Sequence, residues 1–297
     1  MRGIETRGAD RRNKSTEMNR NFLSQILTEK RQAVARLQHN SFARGFRERA
    51  LEIRRNANPH RLLRALEADL PRLKIIAEFK RRSPSVGIIR GDLSAADVAR
   101  FYERGGACAV SVLTDEEYFG GSLEDLSAAR SKATLPILRK DFIIDPIQIY
   151  EAAIAGADAV LLIVAALNDV SLSTLRELAE NELCLDALVE VHTSDELRRA
   201  LDARATIIGV NNRDLTTLQI SLNTSERLIA EAPPDRIMIS ESGLQSAESL
   251  RHLRRLGFRG FLIGEVLMRA GDPETALRDL IASAEDQQVT STGACQS

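Results

Sequence analysis

Short apolar runs alternate with longer amphipathic stretches along most of the chain. Apolar runs of about four to eight residues, rich in Ile, Val and Leu, are typical of buried strands, whereas amphipathic stretches of about ten or more residues are typical of helices. The runs with strand character span residues 74–80, 107–113, 135–140, 158–164, 187–191, 206–212, 236–241 and 260–265. Because a helix-like stretch follows each of them, the pattern indicates repeated βα units around a parallel sheet.

Residues typical of helix ends punctuate this pattern. Ser94 precedes one helix-like stretch, and Asp145 precedes another with Pro146 at its first helical position. Ser and Asp side chains accept hydrogen bonds from the free N–H groups of a first helical turn, where proline is tolerated because it lacks an N–H. The glycines expected at the ends of helices are Gly105, Gly156 and Gly257.

Eight βα units over about 210 residues match the size of a closed (βα)8 barrel. A doubly wound sheet would usually carry a GxGxxG or GxxxxGK[ST] loop after its first strand, and neither motif occurs in the chain. We therefore predict an α/β fold, a (βα)8 TIM barrel with an N-terminal helical extension. The predicted parts are a flexible extension (1–18), helices that cap one end of the barrel (19–72), the catalytic barrel (73–284) and a flexible tail (285–297).

Charge and composition narrow the possible partners. Lys and Arg total 41 against 42 Asp and Glu, a formal net charge of −1, so no whole-molecule field attracts nucleic acid or an anionic membrane. The longest uncharged apolar run, residues 159–167, is far shorter than the roughly 20 residues that cross a bilayer. The 3 cysteines and 4 histidines show no metal-ligand spacing. We expect a cytoplasmic protein without metal or cofactor, either a monomer or a weak homodimer.

Charged residues at the carboxyl ends of the predicted strands are the candidate chemistry. In the first strand, Glu78 and Lys80 share the inward face by the period of two, which brings an acid and a base to the barrel mouth. The polar residues that end other strands are Lys140, Glu190, Asn211, Asn212, Glu241 and Ser242. An ion pair between Glu78 and Lys80 that only closes the rim is the alternative. Because burying so many charges costs too much desolvation for a structural role alone, we favour a catalytic mouth.

Two turns that contain glycine predict a phosphate site. Barrels of this kind commonly bind phosphate in the loops after strands seven and eight, where N–H groups point at the anion. Gly243 and Gly264 lie in those loops, and glycine lets the backbone approach a ligand closely. Simple strand-to-helix turns are the alternative. Because Glu265 is an acidic neighbour, we expect its side chain to point away while its N–H donates.

Seven segments of the chain carry motifs. They are IIAEFKRRSPSVGIIR (75–90), SVLTDEEYFGGSLEDL (111–126), PILRKDFIIDPIQIYEA (136–152), LVEVH (188–192), IGVNNRDL (208–215), SESG (240–243) and FLIGEVLMR (261–269). In order and spacing these segments closely resemble the indole-3-glycerol phosphate synthase family, over roughly residues 19 to 280. The pattern AExKxxSPSxG together with LRKDFIID is the most specific part of the resemblance.

The resemblance implies a cofactor-free carboxy-lyase of tryptophan biosynthesis. Its phosphorylated substrate would be 1-(2-carboxyphenylamino)-1-deoxyribulose 5-phosphate, which is closed into indole-3-glycerol phosphate with release of CO2 and water. By the family's pattern, Lys140 is the general acid and Glu190 the base, while Lys80 holds the substrate's carboxylate or phosphate. Glu78 and Asn211 would orient Lys140 and the substrate. Which carboxylate serves which step stays open.

Other positions at the barrel mouth also match the family. Phe119, Phe142 and Leu215 would form an apolar slot for the anthranilate ring, and a purely structural role in the core is the alternative for each. The remaining matched positions are Ser83, Arg213, Glu241 and Ser242. We expect Ser242 to take part in catalysis and the other three to bind the substrate.

Two other functions remain as alternatives. A non-catalytic phosphate-binding barrel would need Gly243 and Gly264 but neither Lys140 nor Glu190. A phosphoribosylanthranilate isomerase-like enzyme would present a Cys and an Asp at strands one and six. This chain carries Glu and Asn at those two places, which disfavours an isomerase.

Overall fold

The computed structural model describes residues 22–40, 44–68, 72–215 and 217–285. The predicted extension over 1–18, and residues 286–297 of the predicted tail, lie outside the described residues. Within the described ranges, every helix is too short or too polar to cross a membrane.

Parallel strands close into an eight-stranded barrel within the described chain, so the predicted TIM barrel is confirmed. The strands are β1 (Ile75–Phe79), β2 (Arg82–Ser83), β3 (Gly87–Ile88), β4 (Ala109–Leu113), β5 (Ile137–Lys140), β6 (Ala159–Ile163), β7 (Asp186–Val191), β8 (Ile207–Asn211), β9 (Ile237–Glu241) and β10 (Gly260–Ile263). Each predicted run coincides with one barrel strand, and β10 pairs with β1 to close the barrel. The pattern did not predict β2 and β3, which form a separate antiparallel hairpin after β1.

Helices precede the barrel and alternate with its strands. They are α1 (Phe22–His39), α2 (Phe46–Arg54), α3 (Arg61–Glu67), α4 (Ala95–Gly105), α5 (Glu116–Phe119), α6 (Leu123–Lys132), α7 (Pro146–Ala155), α8 (Asp169–Glu177), α9 (Ser194–Asp202), α10 (Asn223–Glu231), α11 (Ala247–Leu256), α12 (Glu265–Arg269) and α13 (Pro273–Glu285). The order matches the alternation of strands and helices that the hydrophobic pattern predicts.

The two faces of each strand pack into different cores. In β1, Ile75 and Ala77 belong to the apolar layer between the barrel and its helices. Ile76 belongs to the cluster inside the barrel. Because side chains alternate along a strand, Glu78 follows Ile76 into the interior.

The N-terminal helices occupy both ends of the barrel, so the expectation that they cover one end is wrong. In α3, the backbone N–H groups of Leu62 and Leu63 donate to the carboxylate of Asp186, the first residue of β7. This places α3 under the amino ends of the strands. In α1, Lys30 forms an ion pair with Asp141, which directly follows β5 at the opposite end. The distribution depends on contacts between segments far apart in the chain, which hydrophobic periodicity does not report.

The predicted caps at two helix N-termini are present. The hydroxyl of Ser94 accepts a hydrogen bond from the N–H of Asp97 at 3.1 Å. The carboxylate of Asp145 accepts one from the N–H of Ile147 at 2.9 Å, and Pro146 begins α7. These caps orient the helices that follow β3 and β5.

Two of the three glycines expected at helix ends are confirmed. Gly156 and Gly257 follow α7 and α11 with φ angles of 93° and 119°. Gly105 is the last residue of α4, but the glycine with the positive φ angle, 95°, is the next residue, Gly106. A Cβ on Gly105 would lie 3.0 Å from the carbonyl oxygen of Glu274, so Gly105 permits close packing of α4 against α13.

Candidate active site

One layer of the barrel interior consists of charged side chains. Inward side chains of an eight-stranded barrel stack in layers of four, each supplied by alternate strands. Near the carboxyl ends, β1, β5, β7 and β9 supply Glu78, Lys140, Glu190 and Glu241. The exposed fractions of the three glutamates are 4%, 3% and 1%. One lysine therefore shares the barrel interior with three carboxyl groups.

Lys140 lies between two of these carboxyl groups. Its Nζ is 3.4 Å from Oε2 of Glu190 and 3.5 Å from Oε2 of Glu241. The other oxygen of Glu190 accepts a hydrogen bond of 3.1 Å from the amide of Asn211. Asn211 in turn accepts from the backbone N–H of Arg213 at 2.9 Å. The predicted acid and base are thus in contact, and an amide orients the base.

The charge state of Lys140 follows from its neighbours. Burial by itself lowers the pKa of the ammonium group, but the carboxylates of Glu190, Glu241 and Glu78 outweigh burial and hold this pKa above its ordinary value. Lys140 is therefore a cation at neutral pH, with a proton available for donation.

Glu241 is in the opposite situation. Burial raises the pKa of its carboxyl group to about 8, and the attraction of Lys140 offsets only part of this rise. Among the described residues, neither of its carboxylate oxygens has a hydrogen-bond partner. The side chain fits inside the barrel because β8 carries Gly209, whose missing Cβ would collide with Oε1 of Glu241. Near neutral pH, this layer holds a carboxyl group that is partly protonated.

Glu78 and Lys80 form the ion pair that their spacing predicts, with Nζ 2.8 Å from Oε1. Burial by itself raises the pKa of Glu78, but Lys80 and Lys140 outweigh it and hold this pKa below its ordinary value. Glu78 is therefore an anion at neutral pH. The pair does not rule out a catalytic role, because both side chains face the same cavity.

A cavity of about 520 Å³ opens at the carboxyl ends of the strands, and every residue predicted for the site except Asn212 lines it. These residues are Glu78, Lys80, Ser83, Phe119, Lys140, Phe142, Glu190, Asn211, Arg213, Leu215, Glu241, Ser242, Gly243, Gly264 and Glu265. The fold therefore brings together residues that lie far apart in the sequence.

Aromatic rings form one wall of the cavity. The ring centroids of Phe119 and Phe142 lie 6.4 Å apart, and their planes are inclined by 38°. Leu215 packs against the same apolar cluster. Since the charged layer lies beside these rings, the slot can hold a flat apolar group next to Lys140.

The glycine-containing turns lie at another side of the cavity. Ser242 and Gly243 adopt positive φ angles of 67° and 75°. A Cβ on Gly264 would lie 2.7 Å from Oε1 of Glu78, so only glycine fits there without displacing the glutamate. The carboxylate of Glu265 accepts a hydrogen bond of 3.1 Å from Arg269, which directs it to that neighbour. The backbone of both turns is therefore accessible to a ligand.

Asn212, one of the polar residues that end the predicted strands, has a structural role beside the cavity. Its side-chain amide donates to the hydroxyl of Ser240 and to the backbone carbonyls of Glu241 and Ser242, at 3.0, 3.0 and 3.1 Å. These bonds hold the turn in which Ser242 has its strained φ. Because side chains alternate along a strand, Asn212 points away from the cavity that Asn211 faces. The pair of adjacent asparagines is the only signal in the sequence that marks it.

Other residues that line the cavity were not predicted, because they lie in loops and helices rather than at the ends of strands. They include Phe22, Ser85, Leu218, Ile220, Gln245 and Arg269. Among them, Ser85 accepts a hydrogen bond of 3.1 Å from Arg213. This bond links the loop that contains the β2–β3 hairpin to the loop after β8.

The barrel and its charged rim define a class of protein, a TIM-barrel protein with a polar site at the carboxyl ends of its strands, where enzymes of this fold convert substrates. The family model described as indole-3-glycerol phosphate synthase matches residues 23–280. A relative named indole-3-glycerol phosphate synthase, from Polaromonas naphthalenivorans (strain CJ2), is 46% identical over 206 residues, which cover 69% of this chain and 78% of the relative. The chain belongs to the indole-3-glycerol phosphate synthase family, enzymes of tryptophan biosynthesis, and neither alternative function is favoured.

Solved structures of other proteins share the fold. Thiamine phosphate pyrophosphorylase from Pyrococcus furiosus superimposes with a TM-score of 0.54 at 17% identity, covering 72% of this chain and 96% of that one. KGPDC from Streptococcus mutans gives a TM-score of 0.53 at 17% identity, covering 72% of this chain and 98% of that one. At such identities the likeness concerns the barrel alone.

Proposed function

We propose that this chain closes 1-(2-carboxyphenylamino)-1-deoxyribulose 5-phosphate into indole-3-glycerol phosphate, acting as a carboxy-lyase. The observation that carries the proposal is the position of Lys140, a half-buried cation beside both the aromatic slot and the carboxylate of Glu190. A phosphate-binding protein without catalytic activity would gain nothing from three carboxyl groups in the barrel interior, because each costs desolvation energy.

The first step is carbon–carbon bond formation. The aromatic carbon that bears the carboxylate attacks the ketone carbon, and the ketone oxygen takes a proton from Lys140. The bond to the carboxylate then breaks, CO2 leaves, and its electron pair restores the aromatic ring. Although its neighbours make Lys140 a weaker acid, the developing alkoxide is a stronger base than an amine, so the transfer is favourable.

The second step is loss of water from the hydroxyl-bearing ring. A proton leaves the adjacent carbon that is bonded to nitrogen, and the hydroxyl group departs as water after it gains a proton. Glu190 is the proposed base for the first of these protons, because Asn211 and Lys140 orient its carboxylate at the cavity. Lys140, reprotonated from solvent, or Glu241 in its neutral form can supply the second proton.

Substrate binding divides between the two sides of the cavity. Phe119, Phe142 and Leu215 hold the anthranilate ring, and Lys80 attracts an anionic group of the substrate. The backbone N–H groups at Gly243 and Gly264 bind the phosphate, as is common for loops at the end of a TIM barrel. The remaining cavity residues, among them Ser83, Arg213 and Glu265, contact the substrate around these anchors. Placement in the cytoplasm and a monomeric or weakly dimeric state remain predictions.

Turnover with synthetic substrate tests the proposal. Because the chain has no tryptophan, fluorescence of the indole product is measured against a low protein background. Lys140→Met should lose most of its product formation while the chain remains folded in a thermal melt. Inorganic phosphate should compete with the substrate, and Gly264→Ala should weaken this competition since its Cβ would collide with Glu78 and shift the turn away from it. A parent chain that binds phosphate but releases neither CO2 nor indole product would refute the proposal.

A further inference from the structure

The N-terminal helix α1 reaches the two loops that carry the aromatic slot. We infer that Lys30 of α1 is a positioning residue that sets the separation of Phe119 and Phe142. The inference rests on the proposed role of these two rings in binding the anthranilate ring. It assigns α1 a part in substrate recognition in addition to its packing on the barrel.

Lys30 forms ion pairs with one carboxylate from each loop. Its Nζ is 2.9 Å from Oδ2 of Asp115, in the loop after β4, and 2.6 Å from Oδ1 of Asp141, directly after β5. The side chains of Asp115 and Asp141 are 3% and 2% exposed, and that of Lys30 is 15% exposed. Removing the ammonium would leave two buried carboxylates to repel each other, so Lys30 holds the two loops together.

Each carboxylate is bonded to one wall of the slot. Asp115 caps the short helix α5, where its Oδ1 accepts from the N–H of Tyr118 at 2.7 Å, and Phe119 is the last residue of that helix. Asp141 accepts from the N–H of Phe142 at 2.8 Å. An ion pair followed by a hydrogen bond therefore joins the ammonium of Lys30 to the backbone of Phe142 and to that of Tyr118, the residue before Phe119.

A second contact from α1 fixes the same wall. The ring of Phe22 packs edge-on against Tyr118, with centroids 5.3 Å apart. Phe22 itself lines the cavity beside Phe119. Helix α5 has only four residues and lacks buried side chains of its own, so its position depends on these contacts with α1 and on Arg82, which bonds the carbonyls of Glu116 and Glu117.

The two carboxylates differ in the number of their other partners, so the loss of Lys30 affects them differently. Asp141 also binds the hydroxyl of Thr114 at 2.7 Å and the guanidinium of Arg139 at 3.1 Å, on its other oxygen. Within the described residues, Lys30 is the cation that forms an ion pair with Asp115. Loss of Lys30 should therefore release the Phe119 wall while Arg139 retains the Phe142 wall.

The test measures inhibition of the full chain by two probes that bind at different sides of the cavity, anthranilate for the slot and inorganic phosphate for the glycine turns. Lys30→Met should raise the inhibition constant of anthranilate by about 10-fold, because small displacements of a positioning group cost up to roughly 10²-fold. The constant for phosphate should change by less than about twofold, since its site lies across the cavity. A general loss of structure would weaken the binding of both probes equally.

Two substitutions serve as rescue and control. Lys30→Arg should recover most of the anthranilate affinity, because a guanidinium fork can bond both carboxylates. Arg31→Met, at the exposed neighbouring position of α1, should leave both inhibition constants unchanged. An unchanged anthranilate constant in Lys30→Met, or an equal rise for both probes, would overturn the inference.

Further variants keep the test decisive. Should Lys30→Met not fold, Asp115→Asn examines the same link, because the amide oxygen still caps α5 while the ion pair is lost. Asp115→Asn should weaken the binding of anthranilate but not that of phosphate. Phe119→Leu and Phe142→Leu test the slot itself. If these two variants weaken the binding of anthranilate but the Lys30 and Asp115 variants do not, the slot is supported and the inference about Lys30 fails. If neither Phe variant affects anthranilate, the slot itself is refuted.

Discussion

The carboxyl group of Glu241 occupies the space that a side chain at Gly209 would fill. Both residues lie on neighbouring strands of the barrel, and the residue opposite Gly209 in the β8–β9 register is Ile239, two positions before Glu241. The missing side chain at Gly209 therefore lets the carboxyl group of Glu241 lie across the barrel interior, 3.5 Å from Lys140.

This relationship predicts the effect of Gly209→Ala. The added methyl group must displace Glu241, and with it one of the carboxyl groups that raise the pKa of Lys140. We expect kcat to fall by about 10-fold or more, and the free energy of unfolding by about 1–3 kcal/mol, as for other overpacked cores. Turnover and urea unfolding measure the two effects. Gly91→Ala is the control, because a Cβ there meets nothing within 4 Å. Equal behaviour of the two variants would show that Glu241 is easily displaced.

The role of Lys140 as a proton donor predicts that arginine cannot replace it. Arg stays protonated with a pKa above about 12, so Lys140→Arg should keep much of the substrate affinity but lose roughly 10²-fold or more in kcat. Lys140→Met should lose at least as much. Single-turnover product fluorescence with a parallel thermal melt separates chemistry from folding. Lys132→Arg, at an exposed position of α6, is the matched control. Near-parent kcat in Lys140→Arg would make Lys80 the next candidate for the acid.

The raised pKa of Glu241 predicts a pH dependence of stability. Between the ordinary pKa of Glu and about 8, the folded chain holds a proton on Glu241 that the unfolded chain has lost. Folding is therefore favoured at lower pH, and the free energy of unfolding contributed by this group declines as the pH rises through that window. In the same window, the raised pKa of Lys140 and the lowered pKa of Glu78 leave both groups charged in either state.

Glu241→Gln should remove this decline, because the amide does not titrate. The measurement compares urea unfolding of parent and variant from pH 5 to pH 8, roughly the interval between the two pKa values. Only the difference between the two chains is interpreted, since burial also raises the pKa of Asp186. Parallel pH profiles for parent and variant would mean that Glu241 is ionised throughout.

The hydrogen bonds of Asn212 predict a loss of stability with a local effect on the site. Asn212→Ala removes the amide that bonds the hydroxyl of Ser240 and the carbonyls of Glu241 and Ser242, which should lower the free energy of unfolding by about 1–3 kcal/mol. Inhibition by phosphate should weaken as well, because the Ser242 turn loses its support. Asn168→Ala, which removes only the cap of α8, should cost about 1 kcal/mol and leave phosphate inhibition unchanged. Intact phosphate inhibition in Asn212→Ala would separate this turn from the phosphate site.

The sequence by itself determined the barrel and most of the site, because both follow from local rules. Alternation along β1 places Ile76 and Glu78 on one face whatever the rest of the chain does. Parallel strands bring their carboxyl ends to one rim, so Lys140 and Glu190 had to meet there once the strands were counted. The caps Ser94 and Asp145 act on residues within three positions of themselves.

Only the tertiary structure decided which distant groups are partners. The space at Gly209 for Glu241, the ion pairs of Lys30 and the position of α3 under the strands each depend on distances between segments that no pattern in the chain records. The same holds for charge states: a lysine and a glutamate in one layer have pKa values set by burial and by each other. Electrostatic energy depends on separation and on exclusion of water, and both exist only after the chain has folded.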